Sequence, residues 1–230
     1  LKCTLAHTYN IDGISLKIVG EVKDLGVIFD TKLTFKNHYN YIFKKAMSMW
    51  GFVWRHCHML STNSLRVLYC SLVRSQLEYC SSVWHPYYKS DIDLLERVQK
   101  KFLRCIEFKL RLTHQAGNYE IVREIMNLPS LDLRRTLADG CVLYGIINFY
   151  VNCPYLLSKL SFYVPQIGVC VTRTYKIFRI SSSKTNLSTN SPIKRFMELG
   201  NRFASIRSFD LFIESKILFR KHFLLILNSG

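Results

Sequence analysis

HYNYIFKKAMSMWGFVW, residues 38–54, repeats its apolar side chains with the period of an α-helix. Tyr39, Ile42, Phe43, Ala46, Met47, Trp50 and Trp54 recur at three- and four-residue steps, while Lys44, Lys45 and Ser48 fall off that stripe. Such spacing lines up one apolar face along a helix. An amphipathic helix is therefore expected from about Phe35 onward.

The same period continues downstream. After the capping residues Ser61-Thr62-Asn63, a second stripe runs through Leu65, Leu68, Tyr69, Leu72, Val73, Leu77, Cys80 and Trp84 and is stopped by Pro86. A third helix is expected to open near Ser90. In it Leu95, Val98, Phe102 and Ile106 face one way, and Arg97, Lys100, Lys101 and Arg104 take the i, i+3, i+4 and i+7 places of another face. Beyond it come a weaker helix from Tyr119 to Met126, a break at Pro129-Ser130, and a strong helix from Leu131 to about Tyr150. Val169 to Ile180 is expected as strand and Ser181 to Ser191 as a polar loop. Two more helices are expected after Pro192 and Ser208.

Upstream, the pattern changes. Ile14 to Val19 alternates and Leu25 to Phe29 is rich in β-formers, with Gly and polar residues between them. Two strands, paired as a hairpin, are expected. The predicted architecture is mainly α, with a short N-terminal β-hairpin followed by a helical bundle and a second helical region. The boundaries are 1–35 for the β element, 36–115 for the bundle and 116–230 for the C-terminal helical region. No internal repeat or long low-complexity run interrupts it.

With 230 residues, 49% of them hydrophobic, the chain can bury a core as one large or two small domains. Its 32 Lys and Arg against 16 Asp and Glu leave a net charge of +16. That excess suits a polyanion and puts nucleic acid first among partners, ahead of a merely soluble basic domain or an anionic membrane surface. The eight cysteines include no C-x-x-C pair and read as reduced core residues. His56-Cys57-His58 is the most metal-like run, but adjacent helical side chains diverge by about 100° and do not close on one ion. The apolar stretch Cys141 to Leu157 carries Asn148, Asn152 and Pro154 and falls short of a membrane span. A nuclear or cytoplasmic, non-secreted protein is expected.

Catalytic patterns are missing from the sequence. Nucleotidyl transfer on two Mg²⁺ ions needs clustered carboxylates. Here no Asp-Asp pair exists, and no acid lies between Asp30 and Glu78. Asp91 and Asp93 open the third helix, where negative charge favours the dipole, and Asp24 and Asp30 read as turn residues. Neither a G-x-S-x-G elbow, nor an H-E-x-x-H pair, nor a Gly-rich phosphate loop occurs. The positive signal is electrostatic. Arg97, Lys100, Lys101 and Arg104 can follow phosphates along a backbone, although a solvated helix face looks the same. Trp84, His85, Tyr87 and Tyr88 could stack on bases or simply finish the core. From Lys159 to Lys221, basic residues outnumber Glu198, Asp210 and Glu214.

Several blocks resemble one family. Val22-Lys23-Asp24-Leu25-Gly26-Val27-Ile28-Phe29-Asp30, Leu33-Thr34-Phe35 and His38 look like the segment after the polymerase palm in jockey-like non-LTR retrotransposon reverse transcriptases. Lys45-Ala46, Gly51-Phe52, the run Leu68 to Ser81, Val83-Trp84-His85-Pro86 and Glu96 to Arg104 agree in order and spacing. The similarity is dense over residues 20–106 and thinner through Leu131, Arg134-Arg135 and Ser191-Pro192.

This resemblance implies that Asp24, Leu25, Gly26 and Val27 form a primer-grip-like turn and that the helices of 36–115 are a thumb-like bundle. Arg97, Lys100, Lys101 and Arg104, with Lys44 and Lys45, would then contact an RNA or DNA template-primer. The family's fingers, its palm with an aromatic-x-Asp-Asp motif, and its endonuclease are not in these residues; Lys2-Cys3 is at most a palm remnant. No cysteine-histidine knuckle occurs. The resemblance thus implies no cofactor in this segment, Mg²⁺ belonging to a palm supplied upstream in the same chain or in trans. Leu1 is not an initiator Met, so an upstream portion is expected. The alternatives are a non-enzymatic basic binding module, relic or co-opted, and a helical scaffold without a nucleic-acid role.

Overall fold

Two short antiparallel hairpins begin the computed structural model, which describes residues 9–112, 119–164 and 176–204, together with 211, 212, 215, 217–219 and 221. β1 (Asn10–Ile11) pairs with β2 (Ile14–Ser15), and β3 (Glu21–Asp24) with β4 (Val27–Asp30). The alternating run 14–19 keeps only its first two residues as strand. The second strand pairs instead with Glu21–Asp24, all of whose side chains are exposed, and alternation did not mark it. Asp24 faces Val27 across a two-residue turn in which Leu25 and Gly26 both have positive φ, 43° and 87°. That is the signature of a type I′ hairpin turn.

Asp30 turns the chain into the helices. Its carboxylate accepts the backbone N–H of Lys32 at 2.9 Å, Thr34 at 2.9 Å and Phe35 at 2.8 Å. Burial opposes its charge, but these donors outweigh that cost and hold its carboxyl below the usual value. The turn-residue assignment of Asp30 thus has a concrete form. α1 (Lys36–Cys57) follows and buries His38, Tyr39, Ile42, Ala46, Trp50 and Val53.

Ser61 caps α2 (Thr62–Leu68) by accepting from Ser64 N. The second stripe then departs from a single α-helix. Its fully buried members Leu65, Tyr69, Val73 and Leu77 are four residues apart, a spacing that drifts around a 3.6-residue helix. A wider π-helical turn at Tyr69–Arg74 takes up the drift before α3 (Ser75–Glu78). The helix does not continue to Trp84. Tyr79 is extended, Cys80 has φ of 53°, and α4 (Ser81–Trp84) is a separate turn. Trp84 Nε1 donates to Tyr79 O at 2.9 Å, which satisfies the carbonyl freed by the break.

α5 (Lys89–Lys109) is the third helix, followed by α6 (Glu120–Ile125) and α7 (Leu131–Ile147). Ser130 caps α7 through Leu133 N, and Glu96 Oε1 on α5 accepts Asp132 N at 3.1 Å. α7 stops before the expected Tyr150 because Asn148 leaves the helix and Phe149 takes φ of 58°. α8 (Pro154–Lys159) comes next. α9 (Asn186–Thr189) forms a helical turn inside the segment expected as polar loop, and α10 (Pro192–Ala204) starts at the expected proline. Of the strand expected over 169–180, residues 169–175 lie outside the described residues; Phe178 makes one bridge, to Phe162. The helix expected after Ser208 lies mostly outside them as well.

The chain is mainly helical, and among the described residues its short strands lie in the N-terminal part. Among the described residues the apolar interior forms two clusters. One gathers Val27, the faces of α1 to α5, and Val122, Met126, Leu128 and Leu131. The other gathers Leu137 to Ile147 of α7 with Leu160, Phe178, the inner face of α10, Leu211 and Phe219. α7 therefore serves both, its first turn in one and the rest in the other. Cysteines 57, 70, 105, 141 and 153 are half-buried, but Cys80 is exposed, so the core assignment fails for it. Among the described residues no helix is long and apolar enough to cross a membrane.

Candidate nucleic-acid interface

The cationic stripe lies where the helical period puts it. Gln99 anchors the opposite side of α5: Tyr69 OH donates to its Oε1 at 3.2 Å and its Nε2 donates to Pro129 O at 2.9 Å. With Leu95, Val98, Phe102 and Ile106 also buried, rotation of α5 is fixed and Arg97, Lys100, Lys101 and Arg104 point outward. Among the described residues none of these four pairs with a carboxylate.

Beneath them is a feature that the sequence reading missed. The four cations border an open groove of about 610 Å³ whose walls include Phe43, Met47 and Trp54 of α1, Cys105 and Phe108 of α5, and Tyr119. Phe43, Met47 and Trp54 form one edge of the α1 stripe and are only half-buried, because that stripe is wider than the surface α5 covers. Phe108 is 81% exposed one helical turn past Arg104. A ring at the i+4 place of a cationic stripe was the available signal.

Lys44 and Lys45 do not join this groove. Lys44 is exposed elsewhere on α1, and Lys45 opens on a second concavity of about 420 Å³ shared with Lys23, Leu25, Gly26, His38, Tyr41 and Tyr79. The primer-grip-like residues divide in the same region. Asp24 is exposed in the strand, Leu25 is 82% exposed at the tip, and Val27 is buried in the first cluster at 3% exposure. Tyr79 OH donates to Leu25 O at 3.1 Å and a Cβ on Gly26 would stand 3.5 Å from its ring, so the break after α3 props the turn. Lys23 Nζ donates to Tyr41 OH at 3.0 Å, and that hydrogen bond, followed by the Lys23 and Lys45 charges, holds the phenol below its usual pKa. This corner of the molecule is cationic too.

His38 anchors the turn from below. Its Nδ1 accepts Ile28 N–H at 3.3 Å, and its ring meets Trp84 edge-on at 5.1 Å. Burial, then the nearby Lys23 charge, pushes its pKa down to about 4, so it is neutral at pH 7.

Trp84 and His85 are structural. Trp84 is buried and also accepts Tyr39 OH on its carbonyl at 2.8 Å. His85 Nδ1 lies 2.9 Å from Asp139 Oδ2, and its Nε2 lies 3.7 Å from Asp132 Oδ1. Burial disfavours its charge, but the two carboxylates prevail and lift its pKa above the usual value. Arg195 of α10 reaches the same junction, donating from Nε to Asp139 Oδ2 at 3.1 Å and from Nη2 to Ser82 O at 2.8 Å. Tyr87 and Tyr88 stay near the surface with their rings 4.4 Å apart.

Of the acids weighed as ligands, Asp93 pairs with Lys89 at 3.6 Å and Asp30 is consumed by the turn. His56 packs its ring on Phe52, and His58 Nδ1 lies 3.3 Å from Arg55 O. Among the described residues no group of three His, Cys, Asp or Glu could hold a metal ion. The geometry is that of a basic, mainly helical surface with an open, ring-lined groove. No family model, curated protein or solved structure matches the chain.

Proposed function

We propose that this chain is the thumb-side portion of a non-LTR retrotransposon reverse transcriptase, which holds RNA or DNA template-primer while a palm in the same chain or in a partner supplies Mg²⁺ and chemistry. The observation that carries it is the row Arg97, Lys100, Lys101 and Arg104, without carboxylate partners among the described residues, on a helix whose rotation is fixed by its buried face. The sequence blocks from Val22 to Arg104 supply the family, and the net charge of +16 agrees with a polyanionic partner. Exposed Ile14 and Val22 on two-stranded hairpins, with Ile18 and Val19 in the connection between them, fit a site where a palm packs. Such a protein works in nucleus or cytoplasm.

The test is template-primer binding over a salt series with the four cations replaced together by Ala. The slope of log affinity against log salt is expected to become shallower by about 3 to 4. Unchanged affinity and slope would remove the stripe from the interface. Primer extension by the purified chain with Mg²⁺ or Mn²⁺ is expected to be nil; incorporation would contradict the division of labour. A non-enzymatic basic module, relic or co-opted, would bind alike. An open frame encoding an aromatic-x-Asp-Asp palm upstream of Leu1 favours the polymerase, and stop codons there favour the module.

A further inference from the structure

Phosphate contact explains four cations in a row but not the apolar hollow that they border. A duplex presents its phosphates outside and keeps its base faces stacked within, so a ring-lined floor beside it would stay wet. An unpaired strand offers both phosphates and bare base faces. We propose that the groove between α1 and α5 takes single-stranded nucleic acid, its phosphates along Arg97, Lys100, Lys101 and Arg104 and its bases on the rings of Phe43, Trp54 and Phe108. This rests on the nucleic-acid part of the proposed function and narrows it to an unpaired strand at this site.

The dimensions suit that occupant. A groove of about 610 Å³ falls inside the span of roughly 300–1,000 Å³ typical of clefts that take small-molecule ligands, enough for a nucleobase. From Arg97 to Phe108 the helix rises about 16 Å, room for more than one nucleotide. The cations keep their charge for the ligand, because no carboxylate among the described residues claims them. The floor is built mainly of rings, Met47 and Cys105, and such a surface stacks on any base without reading its edge or the 2′-hydroxyl. Binding is therefore tolerant of sequence and of sugar. An acidic amphipathic helix would meet the same rim, but an overall charge of +16 and a floor dominated by planar rings favour a polyanion with planar faces.

The experiment is fluorescence anisotropy on the full chain with five probes: a DNA strand of about 12 nucleotides, its RNA counterpart, an abasic strand of equal length, a blunt duplex and an acidic amphipathic peptide. The two base-bearing strands are expected to bind alike and about tenfold more tightly than the abasic strand. Phe108→Ala, an exposed position, removes most of that advantage and leaves the abasic strand unaffected. Trp50 and Trp84 are buried and Trp54 half-buried, so a base-bearing strand quenches intrinsic fluorescence through Trp54, and Trp54→Phe abolishes the quench while retaining binding. Equal affinity for abasic and base-bearing strands, an ineffective Phe108→Ala, a strong preference for one sugar, or a peptide that outcompetes both strands overturns the inference. If duplex binding persists in those cases, the proposed function stands alone. If single strands bind and the duplex does not, the groove stands and the template-primer assignment falls.

Discussion

Leu25 is placed against its own preference. A type I′ turn favours Asn or Gly at its first central position, and a leucine there, at φ of 43° and 82% exposed, strains the backbone and gains no burial. Leu25→Asn is expected to raise stability by about 0.5–1 kcal/mol, while Gly26→Ala at φ of 87° is expected to lower it by about 1 kcal/mol. Urea melts decide both; a destabilising Leu25→Asn would mean that the tip is held by contacts beyond those described. If the turn is a primer grip, the same Leu25→Asn weakens template-primer positioning despite the firmer fold. His38 supplies the pH dependence. Its pKa of about 4 lies below the unfolded value of 6.5, so its contribution is complete above pH 6.5 and is lost as pH falls toward 4. The loss is at most about 3 kcal/mol. His38→Asn, which keeps an acceptor for Ile28 N–H, should lose less stability between pH 7 and pH 5 than the parent; equal losses would assign the acid sensitivity elsewhere. Periodicity placed His38 on a helix, but nothing in the sequence told that its ring faces inward, because that depends on the hairpin packed above it.

At the scale of elements, α1, α5 and α7 were legible from their apolar stripes, and the starts of α7 and α10 from Ser130 and Pro192. Fixing α5 by its stripe also fixed the directions of Arg97, Lys100, Lys101 and Arg104. The groove was not legible, since its two walls come from helices separated by more than thirty residues. Nor was the break after Glu78, where the apolar period continues through Cys80 to Trp84 while a tertiary contact from Tyr79 to Leu25 draws the backbone out. α10 adds a close approach. A Cβ on Gly200 would stand 2.4 Å from the Phe178 ring and 3.2 Å from Leu143. Gly200→Ala is therefore expected to destabilise by about 1–3 kcal/mol, against the roughly 1 kcal/mol that alanine normally gains in a helix. A thermal melt that rises instead would show that Phe178 moves aside without cost.

For the whole molecule, the decisive structure is the charged junction where α4, α7 and α10 meet. Asp139 is 2% exposed and serves both His85 and Arg195, while fully buried Arg135 lies 3.6 Å from Asp132. Removing one partner from such a set strands the others without water. Asp139→Ala is expected to cost about 3–5 kcal/mol, and denaturant unfolding that shifts by less than about 1 kcal/mol would show the junction to be dispensable. His85 adds a second pH term of opposite sign to that of His38. Its pKa is raised in the fold, so its stabilisation is full below pH 6.5 and is lost as pH climbs through the folded value. The two histidine terms therefore bound opposite sides of the pH range, His38 the acid side and His85 the alkaline side. The stripe of α7 was visible in the sequence, but its double service was not, because amphipathicity reports that a face is covered and not by which neighbours. That double service has a mechanical meaning. Glu78 grips Arg134, Glu96 grips the first turn of α7, and Asn148 at its far end holds Leu211 O. α7 thus ties α5, the helix that carries the cationic row, to the second apolar cluster, so a displacement at either end of α7 is resisted by both clusters.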